Sequence, residues 1–133
     1  MWLLMQVMGG VGIAANQFGW GYRVFVMGSP ESGRHWYCFN PEIVSASEVT
    51  EKKPEGCLSF PDLIIDVERP ESVRVRYQDA EGVFLEEQLE GLWARCFQHE
   101  LDHLNGVCLV NKVSRLQLNM AKRKRDKLRK RNS

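Results

Sequence analysis

Apolar and polar side chains alternate most cleanly in the middle of the chain. Val73-Arg74-Val75-Arg76-Tyr77 puts two valines and a tyrosine on one side and two arginines on the other, the period-2 signature of a half-buried strand. Asp79-Ala80-Glu81-Gly82 has turn chemistry, so Val83 to Leu89 is expected to return as a hairpin partner. Upstream, Tyr22 to Val26 is aromatic and β-branched and bounded by glycine, which predicts a strand, and Ser29 to Gly33 predicts a loop. Trp36 to Phe39 and Glu42 to Val49 read as two short strands around Asn40-Pro41, and Ile64 to Glu68 as an extended segment. Lys52-Lys53-Pro54 leads into Glu55-Gly56-Cys57-Leu58-Ser59, whose glycine and small residues imply a tight turn beside a strand.

From Leu92 to Leu104 the period changes to that of a helix, with Gly91 before it and Asn105-Gly106 as a C-terminal stop. Cys108-Leu109-Val110 is a short apolar run. Leu116, Met120 and Leu128 lie in a Lys/Arg-rich helical tail, and Met1 to Met8 reads as the end of a buried helix. The fold class expected is α+β: antiparallel strands packed around one central helix, with a basic C-terminal helix. No internal repeat interrupts this, so residues 1–113 are expected to form a single catalytic domain and residues 114–133 a basic tail.

Composition narrows the class. A chain of 133 residues with 44% hydrophobic and 26% charged residues suits one globular domain and argues against disorder. No apolar run approaches the roughly 20 residues that span a bilayer, so no membrane is expected. The apolar start lacks the basic flank of a signal peptide. Cys38, Cys57, Cys96 and Cys108 are not spaced as a small disulfide framework, so a reducing, cytoplasmic setting is expected. The net charge of +1 hides an asymmetry: residues 1–113 hold 9 Lys and Arg against 16 Asp and Glu, a balance of −7, whereas residues 114–133 balance at +8. A basic tail on an acidic body suits contact with nucleic acid or another acidic surface; a solvated terminal helix is the plainer reading.

The candidate chemistry lies on the central helix, in His99-Glu100-Leu101-Asp102-His103. Histidines four apart stack one turn apart and can grip one ion, while Glu100 is rotated off the pair and can reach a water held there. Imidazoles suit zinc or ferrous iron, and a catalytic site wants a third protein ligand and an open position. Downstream of His103 there is no His or Glu, and Asp126 sits in the basic tail. The third ligand is therefore expected upstream, with Cys57 as the best candidate.

Gly10-Val11-Gly12-Ile13-Ala14-Ala15 matches the dinucleotide pattern G-x-G-x-x-A, but that pattern needs a parallel α/β setting that the hairpin-rich body does not offer. A backbone edge open to close approach fits better, with the Gln17 amide as a donor to a developing oxyanion.

Taken together, Gly10 to Gln17, Glu55 to Ser59 and Gln98 to Leu104 resemble, in order, the G-x-G-x-A-A-x-Q, E-G-C-L-S and Q-H-E-x-D-H-L blocks of the peptide deformylase family. The resemblance covers about Met1 to Lys112. It implies hydrolytic removal of the formyl group from the N-terminal formylmethionine of new proteins, with release of formate. It implies one divalent metal ion held by Cys57, His99 and His103, Fe2+ as the native ion with Ni2+, Co2+ or Zn2+ able to substitute. Glu100 would act as general base and acid, with the Gln17 amide and the Leu58 backbone N–H stabilising the oxyanion. The peptide would lie along the Gly10, Val11, Gly12 edge. With Leu92 set at 0°, the helical turn puts Cys96 near about 40°, His99 near about −20° and His103 near about 20°. Leu92 and Cys96, with Val11, are thus expected to line the methionine pocket; core packing is the alternative for both.

The chain departs from the family in two places. Nine residues precede Gly10 where several dozen are usual, as in a compact natural form or a truncated gene product. Phe60 to Ile65 lacks an arginine that bacterial relatives often carry after the C-L-S block, so contacts further along the peptide are expected to differ. The basic tail, Arg115 to Arg131, is expected to reach ribosomal RNA, as in some bacterial relatives. Two rival readings remain: a metallopeptidase of the H-E-x-x-H type, and a catalytically impaired ribosome- or RNA-binding relic. Asp102 and Glu55 stay open between orienting metal ligands and making local hydrogen bonds. His35 is expected at the surface, Cys38 and Cys108 as buried thiols, and Trp2, Trp20, Trp36 and Trp93 as packing residues.

Overall fold

The computed structural model describes residues 12–14, 23–29, 33–57, 60–106 and 114–131, with the backbone alone for 12–14, 57, 60–63 and 131. The expected N-terminal helix end, Cys108 to Val110, Trp2 and Trp20 lie outside the described residues. The strands are β1 (Gly12–Ala14), β2 (Val24–Ser29), β3 (Arg34–Ala46), β4 (Thr50–Cys57), β5 (Phe60–Pro70), β6 (Ser72–Gln78) and β7 (Phe84–Glu90). Two helices follow, α1 (Gly91–Leu104) and α2 (Arg115–Arg131). β1-β2-β3-β6-β7 form one sheet in that order, and β4-β5 form a separate two-stranded hairpin. Every described pairing is antiparallel, which is the α+β architecture expected.

Local patterning explains most of this. Val73, Val75 and Tyr77 of β6 all turn inward, as their alternation requires. Asp79 organises the β6–β7 turn: its Oδ1 accepts from the N–H of Glu81 and of Val83, each at 2.9 Å, and Gly82 takes φ of +83° there. Val24 to Met27 of β2 are buried consecutively, so this strand is covered on both faces and lacks alternation.

Two expectations need correction. The two strands read around Asn40-Pro41 are one strand, β3. A bulge carries the chain past the interruption: the register shifts between Phe39 and Glu42, and Asn40 sits at φ of +49°. Asparagine tolerates that left-handed conformation, and Asn40 is held by its N–H to the Arg23 carbonyl (2.8 Å) and its amide to Gln78 Oε1 (2.9 Å). The stretch over Lys52-Lys53-Pro54, taken as a lead-in, is strand β4, with Pro54 opposite Asp66. Among the described residues the hairpin has two strands only, so both are edge strands, where proline is tolerated.

The core forms where the inward face of the sheet meets α1. Phe25, Met27, Cys38, Val73 and Val75 pack against Ala94, Phe97 and Leu101. Phe97 anchors the contact, its ring 5.0 Å from Phe25 at 80° and 6.5 Å from Tyr77. Each fully buried Phe or Met contributes about 1.5–3 kcal/mol of burial. Trp36 and Trp93 pack at 4.9 Å, in keeping with packing roles, Cys38 is fully buried and His35 is exposed. α1 ends as expected: Asn105 N–H reaches the Leu101 and Asp102 carbonyls, Gly106 N–H reaches that of His103, and Gly106 takes φ of +78°. No described helix is long and apolar enough to cross a membrane.

Candidate metal centre

α1 presents three stripes of side chains. Ala94, Phe97 and Leu101 belong to the core against the sheet. Arg95, Gln98, His99 and Asp102, at helical spacing, all hydrogen-bond to residues of the β4–β5 hairpin. Cys96, Glu100 and His103 form a third stripe, and all three are buried. The helix is therefore enclosed between sheet and hairpin, and His99 and His103 lie where these two packings meet.

His99 Nε2 and His103 Nε2 converge to 3.1 Å. Two nitrogens that far apart, each about 2.0–2.1 Å from one ion, would subtend about 100° at it, between octahedral and tetrahedral angles. Glu100 Oε1 stands 3.8 Å from His99 Nε2, and the ligand atoms of His99, Glu100 and His103 all lie within 4.8 Å of one another. The pair of imidazoles and the carboxylate beside them fit a divalent ion with an adjacent proton acceptor.

Glu55 fixes the tautomer of His99. Burial alone would push its carboxyl up. Hydrogen bonds from His99 and Arg69, and the Arg69 charge, outweigh burial and hold the pKa down at about 2. An ionised carboxylate only accepts, so His99 donates Nδ1–H to Glu55 Oε1 at 2.9 Å. When the ring is neutral, that leaves the Nε2 lone pair facing His103, as a metal-ligating histidine requires. Arg69 grips Glu55 bidentately, Nε to Oε2 at 2.6 Å and NH2 to Oε1 at 2.9 Å, and reaches Asp102 Oδ2 through NH1 at 2.8 Å. Burial works against the Arg69 charge, but its two carboxylate partners hold its pKa above the usual value. Arg95 adds a second cation on Glu55 Oε2. Two carboxylates thus face two guanidinium groups, and these four charges are paired with one another.

The backbone of Cys57 ends β4, two residues beyond Glu55, and pairs with Phe60 across the two-residue connection. Gly12 lies on β1, at the sheet edge. Gly10, Val11, Gln17 and Leu58 lie outside the described residues. The two apolar residues of the ligand face separate: Leu92 is 57% exposed in the first turn of α1, whereas Cys96 sits in the core at 6%, its thiol pushed up by burial.

Arg69, Arg95 and Gln98 are structural partners of the site that sequence reasoning did not single out. For Arg69 a signal existed. Ile65 and Val67 alternate inward on β5, and the next position of that face is 69. Ending the extended segment at Glu68 hid it. For Arg95 and Gln98 the signal was their spacing with His99 and Asp102 on one helical stripe.

Comparison with known proteins agrees with this geometry. The family model described as polypeptide deformylase matches residues 1–119. A peptide deformylase of Thermotoga neapolitana is 50% identical over 107 residues, covering 78% of this chain and 62% of the relative. One from Novosphingobium aromaticivorans is 53% identical over 91 residues, covering 68% and 48%. The chain thus spans between about half and two thirds of the length of these curated relatives. Among solved structures, a peptide deformylase of Synechococcus elongatus in complex with actinonin superposes with a TM-score of 0.87 at 41% identity, covering 95% of this chain and 69% of that one. That of Thermotoga maritima superposes with a TM-score of 0.78 at 44% identity, covering 83% and 74%. The match over residues 1–119 and these likenesses show that the chain belongs to the polypeptide deformylase family.

Proposed function

We propose that this chain is a metal-dependent hydrolase that removes the N-formyl group from the N-terminal formylmethionine of newly made proteins. The observation that carries the reading is the convergence of His99 and His103 Nε2 at 3.1 Å beside buried Glu100, within a family named for deformylation. Cys57, His99 and His103 would hold one divalent ion, with Fe2+ as the native metal and Ni2+, Co2+ or Zn2+ as possible occupants. Such an ion, when bound, lowers the pKa of water and polarises a carbonyl oxygen.

The protein's own groups do the rest. Glu100 accepts a proton from the attacking water as the new C–O bond forms at the formyl carbon. The Gln17 amide and the Leu58 N–H donate to the oxyanion that develops. Glu100 then returns its proton to the departing amine as the C–N bond breaks, and formate leaves. The peptide pairs along the Gly10, Val11 and Gly12 edge; Gly12 lies on β1, at the end of the described sheet. Val11 and Leu92 form the wall for the methionine side chain, while Cys96 belongs to the core. A formyl carbon carries only hydrogen, so a close-fitting site admits it and rejects larger acyl groups. The exposed basic face of α2 is suited to ribosomal RNA phosphates near the emerging chain.

Protein purified without oxygen and loaded with Fe2+ or Ni2+ is expected to release formate from a formyl-Met peptide and to spare the acetylated analogue. Glu100→Ala is expected to abolish release while metal stays bound. Cleavage of internal peptide bonds would point to a metallopeptidase instead, and metal binding without turnover to an impaired relic. Family membership favours neither.

A further inference from the structure

The β4–β5 hairpin is separate from the main sheet, yet it carries both Cys57 and the Glu55 carboxylate that orients His99. Something must hold its register against α1, because a two-stranded hairpin is marginal alone. Arg95 has the geometry for this. Its NH1 donates to the Val67 carbonyl of β5 at 2.8 Å and to Glu55 Oε2 of β4, and its NH2 donates to the Glu51 carbonyl of β4. One guanidinium thus binds both strands and the orienting carboxylate from a single helical position. His99 lies one turn further along the same helix, on the same stripe.

We infer that Arg95 is a positioning residue for the metal centre: it clasps both strands of the β4–β5 hairpin to α1 and thereby sets Glu55, and with it His99 and Cys57, for metal binding. The inference rests on the metal-site reading above. Arg69 does not duplicate this role. It also grips Glu55, but it belongs to β5 itself and reaches the helix through Asp102. Glu55 accepts four hydrogen bonds, from Arg69 twice, from His99 and from Arg95, which fills its acceptor sites. The planar fork of arginine suits this role, since NH1 and NH2 reach the two strand carbonyls from separate nitrogens.

The test uses full-length protein, Co2+ alone as the probe, a competing chelator and the near-ultraviolet thiolate-to-cobalt absorption. Arg95→Met keeps the apolar stem. It is expected to weaken Co2+ binding at least about tenfold, in the range seen when partners of metal ligands are removed, and to reduce the thiolate band. In a Glu55→Gln background the further loss on Arg95→Met is expected to shrink, because the two residues act as a unit. Arg74→Met, which removes an exposed ion pair with Glu86, is expected to leave Co2+ affinity unchanged. Wild-type affinity and band in Arg95→Met, or a loss that simply adds to that of Glu55→Gln, would overturn the proposal. If Arg95→Met does not fold, Arg95→Lys carries the test: weakened affinity supports the clasp, and wild-type affinity overturns it. Failure of the wild-type protein itself to bind Co2+ would instead sink the metal-site reading.

Discussion

His99 Nδ1 lies 2.9 Å from Glu55 Oε1, and this contact joins a helix to a hairpin 44 residues away in sequence. It decides which nitrogen of His99 faces the site, and it makes a buried carboxylate on β4 part of the candidate metal centre.

The same contact gives the fold a definite acid response. The Glu55 pKa is depressed from 4.5 to about 2, against the upward push of burial, by His99 and Arg69. A depressed carboxylate adds stability that is fully present above its unfolded value and is lost as pH falls towards the folded one. Urea midpoints of the metal-free protein are expected to drop between about pH 4.5 and pH 2. Glu55→Gln is expected to be less stable at neutral pH and flatter across that window. Parallel curves for the two proteins would count against this account.

Phe97 is the hinge of the core, fully buried with Phe25 and Tyr77 against its ring. Phe97→Ala removes those contacts and leaves a cavity, at a cost of about 3–5 kcal/mol. Denaturant unfolding of the metal-free protein checks the figure. A loss below about 1 kcal/mol would mean that the core collapses around the gap.

Cys38 and Cys96 are buried, and burial pushes both thiols well above their ordinary range. The thiolate is the reactive form. Both are expected to resist an alkylating reagent at pH 8 in the folded protein and to label promptly in urea, as peptide mass mapping would report. Equal labelling rates in the two states would contradict the packing described.

α2 carries nine Lys and Arg against one acid, Asp126. Deleting residues 114–133 is expected to reduce ribosome co-sedimentation and to lower the salt slope of RNA binding. Deformylation of short peptides is expected to persist. Co-sedimentation unchanged by the deletion would remove RNA contact as a role for this helix.

Much of the fold follows from short-range pattern. The alternation at Val73, Val75 and Tyr77, the Asp79 to Gly82 turn and the Gly106 stop of α1 are set by neighbours a few residues away, and they occur where the pattern puts them. Asn40 and Pro54 misled for one reason: each is a local break that a strand continues past, at Asn40 through a bulge.

By itself the sequence determined that His99 and His103 stack on one helix with Glu100 beside them, because helical geometry depends only on spacing. It also held the three blocks that mark the family. Only the tertiary structure decided that Arg69 bridges Glu55 and Asp102, that Arg95 spans both strands of the hairpin, and that Leu92 and Cys96 part company. A charged side chain takes its partner from whichever strand packs against its helix face. That choice is made by the whole core, not by the residues on either side.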